Sequence, residues 1–174
     1  MKRIPIFATL AAVATVAVAA AAAAVSAPGA PYDSARIFGG HLPPGYRDWR
    51  LISVAHEAGN LNDLRAVLGN DIATRAYRSG KTPFPDGAVI ARIAWVYTPS
   101  AENDKAFGRA QSFVAGAPTN VQFMVKDARK YAATGGWGFA QFNAGKPAPI
   151  VVRDCFACHV PAKGQDFVFT RYAP

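Results

Sequence analysis

The chain has 174 residues, 51% of them hydrophobic, with 13 prolines, 15 glycines and only two cysteines. Lysine and arginine number 19 against 11 acidic residues, a formal net charge of +8. The length suits one domain plus a short extension, the cysteine count excludes a disulfide-dense scaffold, and basic residues scattered rather than blocked exclude a nucleic-acid module.

Met1-Lys2-Arg3 is a short positive segment, and Ile4 to Val25 is uncharged and mostly alanine and valine. Val25-Ser26-Ala27 then supplies small residues of the kind that precede a cleavage point. Residues 1–27 therefore read as a secretory signal peptide, which places the body in the periplasm or outside the cell. A membrane anchor is the rival reading, because the apolar run is long enough to span. Alanine is a weak membrane residue, which favours the signal. Loss of Lys2 and Arg3 lowers the net charge from +8 to +6. Such a balance serves solubility, and it also suits docking to an acidic redox partner protein.

Residues 28–45 are rich in Pro and Gly and predict a tail with little regular structure. Arg47 to Ala55 and Leu64 to Leu68 have strand composition. Asn70 is a good N-cap, Asp71 suits a first turn, and Gly80 a stop, so a helix is expected between them. Phe84-Pro85-Asp86-Gly87 is a turn. Ala88 to Tyr97 is the strongest strand pattern in the chain. Pro99 to Lys105 reads as a polar loop. Ala110 to Ala115 and Val121 to Val125 read as two strands with Gly116-Ala117-Pro118 between them. Asp127 to Ala133 is expected to be a short helix ended by Gly135-Gly136, and Trp137 to Phe142 another strand. Pro147 and Pro149 precede a short helix starting near Arg153, and Phe167 to Tyr172 closes the chain in an extended form. Five or six short strands with two or three short helices give an α+β domain, mainly an antiparallel sheet, with its last helix near the C-terminus.

That last helix carries both cysteines, in Cys155-Phe156-Ala157-Cys158-His159. C-x-x-C-H is the attachment signature of c-type haem. Thiols three residues apart lie on one side of a helical turn, where they reach two vinyl groups of one porphyrin edge. The following histidine then serves as axial ligand to the iron. Zinc needs four ligands, and His41 and His56 stand at no ligand-like spacing. A thioredoxin-like dithiol calls for a βαβ context that does not follow. The motif thus predicts one covalent haem c on Cys155, Cys158 and His159. No methionine follows it, and Met124 lies in a strand pattern where gap-filling is its ordinary role. Thirteen prolines and the lack of long helical periodicity argue against a four-helix bundle.

Tyr46-Arg47-Asp48-Trp49, Phe84-x-Asp86-Gly87, Val125-Lys126-Asp127, Gly136-Trp137-x-Phe139 and Phe169-Thr170-Arg171 are arranged around C-x-x-C-H in an order that resembles the cytochrome P-460 and cytochrome c′-beta group. The resemblance covers 46–174, which is the expected haem domain. It implies an antiparallel β fold, a homodimer, and a haem with His159 on one side and an open face on the other. Members of the P-460 type oxidise hydroxylamine and carry a lysine linked to the porphyrin. The c′-beta type lacks the link and binds diatomic ligands such as nitric oxide.

The resemblance puts Arg92 at the place of the linking lysine, five residues after Gly87. A guanidinium stays protonated and is a poor nucleophile, so no such link is expected. Gln122 falls where P-460 members have a proton-handling glutamate, and an amide is no general base. Arg65 matches a family arginine on the strand before the first helix, and its side chain suits a hydrogen bond to a bound ligand or a haem propionate. An ordinary exposed strand arginine is the alternative for Arg65, and an ordinary surface residue the alternative for Gln122. Together these positions favour an open site for small nitrogen or diatomic ligands over hydroxylamine oxidation or simple electron transfer.

Overall fold

The computed structural model describes residues 37–149 and 152–173. The expected signal peptide, and residues 28–36 of the expected tail, lie outside the described residues.

Six strands form one sheet in sequence order: β1 (Arg50–Glu57), β2 (Asp63–Gly69), β3 (Val89–Pro99), β4 (Phe113–Lys126), β5 (Trp137–Asn143) and β6 (Lys146–Pro147). Every neighbouring pair is antiparallel. Three short helices complete the α+β fold: α1 (Asp71–Ser79), α2 (Ala101–Phe107) and α3 (Val152–His159).

The local chemistry explains α1. Asn70 Oδ1 accepts the Ala73 N–H at 2.9 Å and so caps the first turn. The same oxygen accepts from Val89 N at 3.1 Å, and Asn70 Nδ2 donates to Gly87 O at 2.9 Å. One side chain thus ties the helix start to the turn that feeds β3. Gly80 ends the helix at φ 63°, a conformation that glycine adopts without cost.

Alternation along the strands gives the sheet two different faces. On the first, Ile52, Val67, Ile90, Met124, Trp137 and Phe139 pack beneath α1 and α3. On the second, Leu68, Ala91, Ile93, Phe123 and Phe142 are covered by the segment 37–49, through Ile37, Tyr46 and Trp49. Residues 37–45 form turns rather than strands, yet Ile37 is 3% exposed.

Three expectations are corrected. Residues 99–105 are not a loop throughout, because α2 begins at Ala101, capped by Ser100 and closed by Gly108 at φ 69°. No residue of α2 is buried, so it leaves no apolar periodicity to read. The two strands expected over 110–125 are one strand, β4. Its pairing with β3 shifts register on either side of Trp95–Pro118. An irregularity accommodates a proline, which has no N–H to give to the ladder. Lastly, Asp127 to Ala133 is not an α-helix. Asp127 Oδ1 accepts from Arg129 N and Lys130 N in a turn, and only Ala132–Thr134 forms a 3-10 helix.

Candidate functional site

Helix α3 holds Cys155, Cys158 and His159 within its last five residues. The two thiols are not bonded to each other; Cys155 is half-buried and Cys158 exposed. Burial first, and the neighbouring Asp154 second, push the Cys155 thiol up from its ordinary value. His159 is half-buried between Phe139 and Phe169, with ring centroids 5.3 and 5.1 Å away. Its Nδ1 lies 2.7 Å from the Phe167 carbonyl oxygen. A carbonyl can only accept, so Nδ1 carries the proton and Nε2 keeps its lone pair. Burial pushes the His159 pKa down, against the opposing effect of this hydrogen bond. The neutral ring, fixed in one tautomer by a backbone acceptor, is the arrangement that metal-ligating histidines use. Two unbonded thiols and a poised imidazole at one helix end fit the attachment of a haem.

The same sheet face carries a polar patch. Asp63, Arg65, Arg92, Gln122 and Gln141 stand on it, since Val67 pairs with Arg92, Arg92 with Gln122, and Gln122 with Gln141. Asp63 is 3% exposed and lies between two guanidinium groups. Its Oδ1 accepts from Arg65 Nε at 3.0 Å and Nη2 at 2.7 Å, and its Oδ2 accepts from Arg92 Nη2. Arg65 also reaches the half-exposed Glu57 at 3.5 Å. Arg92 Nη1 donates to Asn120 Oδ1 at 2.8 Å and to Gln122 Oε1 at 3.0 Å. That leaves Gln122 Nε2 to donate to Gln141 Oε1 at 2.7 Å. Burial, then the charge of Arg65, lowers the Arg92 pKa, while Asp63 acts in the opposite sense. Arg92 Nε is buried and has no partner among the described residues.

All six residues singled out in the sequence therefore belong to elements on one face of one sheet. Arg65, Arg92 and Gln122 form one hydrogen-bonded group with Asp63; Cys155, Cys158 and His159 form a second at the helix end. Sequence reasoning missed Asp63, Asn120 and Gln141. An acidic residue in a short strand with Arg65 two positions on was the available sign of Asp63, because residues i and i+2 share a face. Its pairing with Arg92 spans 29 positions and carries no local signature. Asp63 and Glu57 balance the charges of Arg65 and Arg92.

No curated protein matches the chain. The sequence model of the family described as Cytochrome P460 matches residues 43–170. That span contains the whole sheet, the polar patch and the C-x-x-C-H helix. With the match covering most of its length, the chain belongs to the cytochrome P460 family and is a c-type haem protein.

Proposed function

We propose that the chain is an extracytoplasmic monohaem c-type cytochrome whose open distal site binds or redox-processes small nitrogen species such as nitric oxide. The observation that carries this reading is the single poised imidazole. His159 is committed through Nδ1 to Phe167 O, and the two other histidines and Met124 are placed in other surroundings. His56 stacks on Tyr97 on the opposite sheet face, and His41 lies in the segment covering that face. Met124 is flanked in the ladder by Ile90 and Phe139. An electron carrier prefers two strong protein ligands, which this arrangement does not favour.

Cys155 and Cys158 would hold the haem by thioethers, and His159 Nε2 would be its axial ligand. When bound, the haem supplies a redox-active iron with a position for a small ligand. Phe139 and Phe169 confine the His159 ring on two sides. Arg92 offers its unpartnered Nε–H, a donor that suits a polar ligand or a propionate. Hydroxylamine oxidation is disfavoured, because Arg92 and Gln122 replace the two groups that the P-460 type uses.

The resemblance also implies a homodimer. The far end of the second sheet face suits one. Val54 is 70% exposed there, beside the stacked rings of His56, Tyr97 and Phe113. Export rests on residues 1–27; among the described residues no helix is long and apolar enough to cross a membrane. Exported protein is expected to begin between Ala22 and Ala30 and to carry one haem.

The test is the absorption spectrum of reduced protein with and without carbon monoxide or nitric oxide. Five-coordinate reduced protein that takes up either gas supports the reading. Low-spin reduced protein that ignores both would show a second protein ligand and an electron carrier.

A further inference from the structure

The carbonyl that holds His159 belongs to a strained segment. Asp166 and Phe167 are consecutive non-glycine residues at φ 54° and 64°. Side chains disfavour this left-handed region, most of all one as bulky as phenylalanine. Such strain persists only where the surroundings over-determine it.

Here they do so at every polar atom of Asp166. Lys126 Nζ donates to its Oδ1 at 2.7 Å and its Oδ2 at 2.8 Å, with side chains only 5% and 8% exposed. Phe84 N donates to Oδ2 at 2.7 Å, and Trp137 Nε1 to the Asp166 carbonyl at 2.8 Å. Asp166 N donates to Lys163 O at 3.1 Å. Lys126 is held in turn by Gly135 O at 3.1 Å and by the face of Trp137, 4.9 Å from the ring centroid. The Phe167 ring occupies the space that a Cβ at Gly135 would need. Phe167 N donates to Ala162 O at 2.9 Å, and Phe167 O then accepts from His159.

A buried ion pair is weak evidence for stability, because an apolar pair of similar volume often does as well. Its position is more informative: it joins β4 to the backbone that carries the histidine's acceptor. We propose that Lys126 and Asp166 are a positioning pair for the axial histidine. They fix the Phe167 carbonyl against Nδ1 and so set the orientation and donor strength of the His159 ring. A firm acceptor at Nδ1 makes the imidazole a stronger donor at Nε2. This inference rests on the haem reading above.

The test uses the haem-loaded protein in its ferrous state. Asp166→Asn removes the charge but keeps a residue that tolerates left-handed backbone. Lys126→Met removes the partner, and the double variant Lys126→Met/Asp166→Asn leaves no lone buried charge. Gly135→Ala displaces the Phe167 ring while keeping both charged side chains of the pair. Resonance Raman reads the iron–histidine stretching band, and potentiometry the reduction potential. In all four variants the band is expected to move to lower frequency and the potential to rise, while Asp104→Asn on exposed α2 changes neither. A wild-type band that stays in place in the folded double variant and in Gly135→Ala overturns the role of the pair. A wild-type protein with no iron–histidine band overturns the five-coordinate haem reading, and the pair's role with it.

Discussion

Arg92 on β3 and Gln122 on β4 face each other in the ladder, and Arg92 Nη1 donates to Gln122 Oε1 at 3.0 Å. The two positions that the resemblance sets against the hydroxylamine-oxidising pattern are thus hydrogen-bonded to one another. A single reversion changes one partner and leaves the other. In Arg92→Lys the new ammonium stands beside the Asp63 carboxylate, which favours its protonated, non-nucleophilic form. Peptide maps of Arg92→Lys are expected to show no third link to the porphyrin. Hydroxylamine-dependent reduction of an electron acceptor is expected to stay at background. Arg92→Lys/Gln122→Glu supplies both groups and should exceed either single variant by about tenfold or more. Turnover by Arg92→Lys alone would contradict the need for a carboxylate.

Asp63 holds two guanidinium groups with a side chain only 4% exposed, whereas Glu57 meets Arg65 at 3.5 Å with half of its side chain in water. Removing one partner from a buried ion cluster strands the others. Asp63→Asn should therefore cost about 3 kcal/mol in urea unfolding. The exposed contact is screened, and Glu57→Gln should cost less than about 0.5 kcal/mol. Equal effects would mean that the cluster is not closed around Asp63.

Phe139 is 4% exposed and lies against the His159 ring, while Phe169 on its other side is 57% exposed. Phe139→Ala should cost about 3–4 kcal/mol, the range for a buried aromatic truncated to alanine. Phe169→Ala should cost less than about 1 kcal/mol. His159→Ala should keep the thioether-bound haem and lose the axial ligand, and added imidazole should restore the wild-type spectrum. Haem release from His159→Ala on acid–acetone extraction would contradict attachment through Cys155 and Cys158.

The fold was legible where the signal is local. Asn70 and Gly80 mark the ends of α1, and the bulky residues Val89, Ile93 and Trp95 mark β3. The signal failed where tertiary context decides. Helix α2 buries no residue, so only its cap at Ser100 announces it. Pro118 reads as a break in a strand that pairing with β3 carries through. At the site, C-x-x-C-H is a contiguous motif with one chemical meaning. The partners that complete the site come from far along the chain: Asp63 meets Arg92 across β2 and β3, and Lys126 meets Asp166 across 40 positions. Such pairs exist only once the sheet has formed.

Val54, Trp95 and Phe113 lie toward one end of the second sheet face, and Val54 and Phe113 are 70% and 46% exposed. If two copies pair through this end, Val54→Arg places a charge at the contact and should convert the dimer into a monomer. Sedimentation velocity reads the change, and the absorption spectrum should stay as in wild type. A wild-type monomer at all concentrations would contradict the pairing.

The central claim is a single haem held by two thioethers, with no third link. Trypsin cuts after Arg153 and Lys163, so the motif leaves in one peptide, from Asp154 to Lys163. Mass spectrometry of that peptide is the most direct measurement. The predicted result is the peptide mass plus one haem, with Cys155 and Cys158 both blocked and the peptide containing Arg92 unmodified. Free thiols on this peptide, or a haem joined to a third residue, would contradict it.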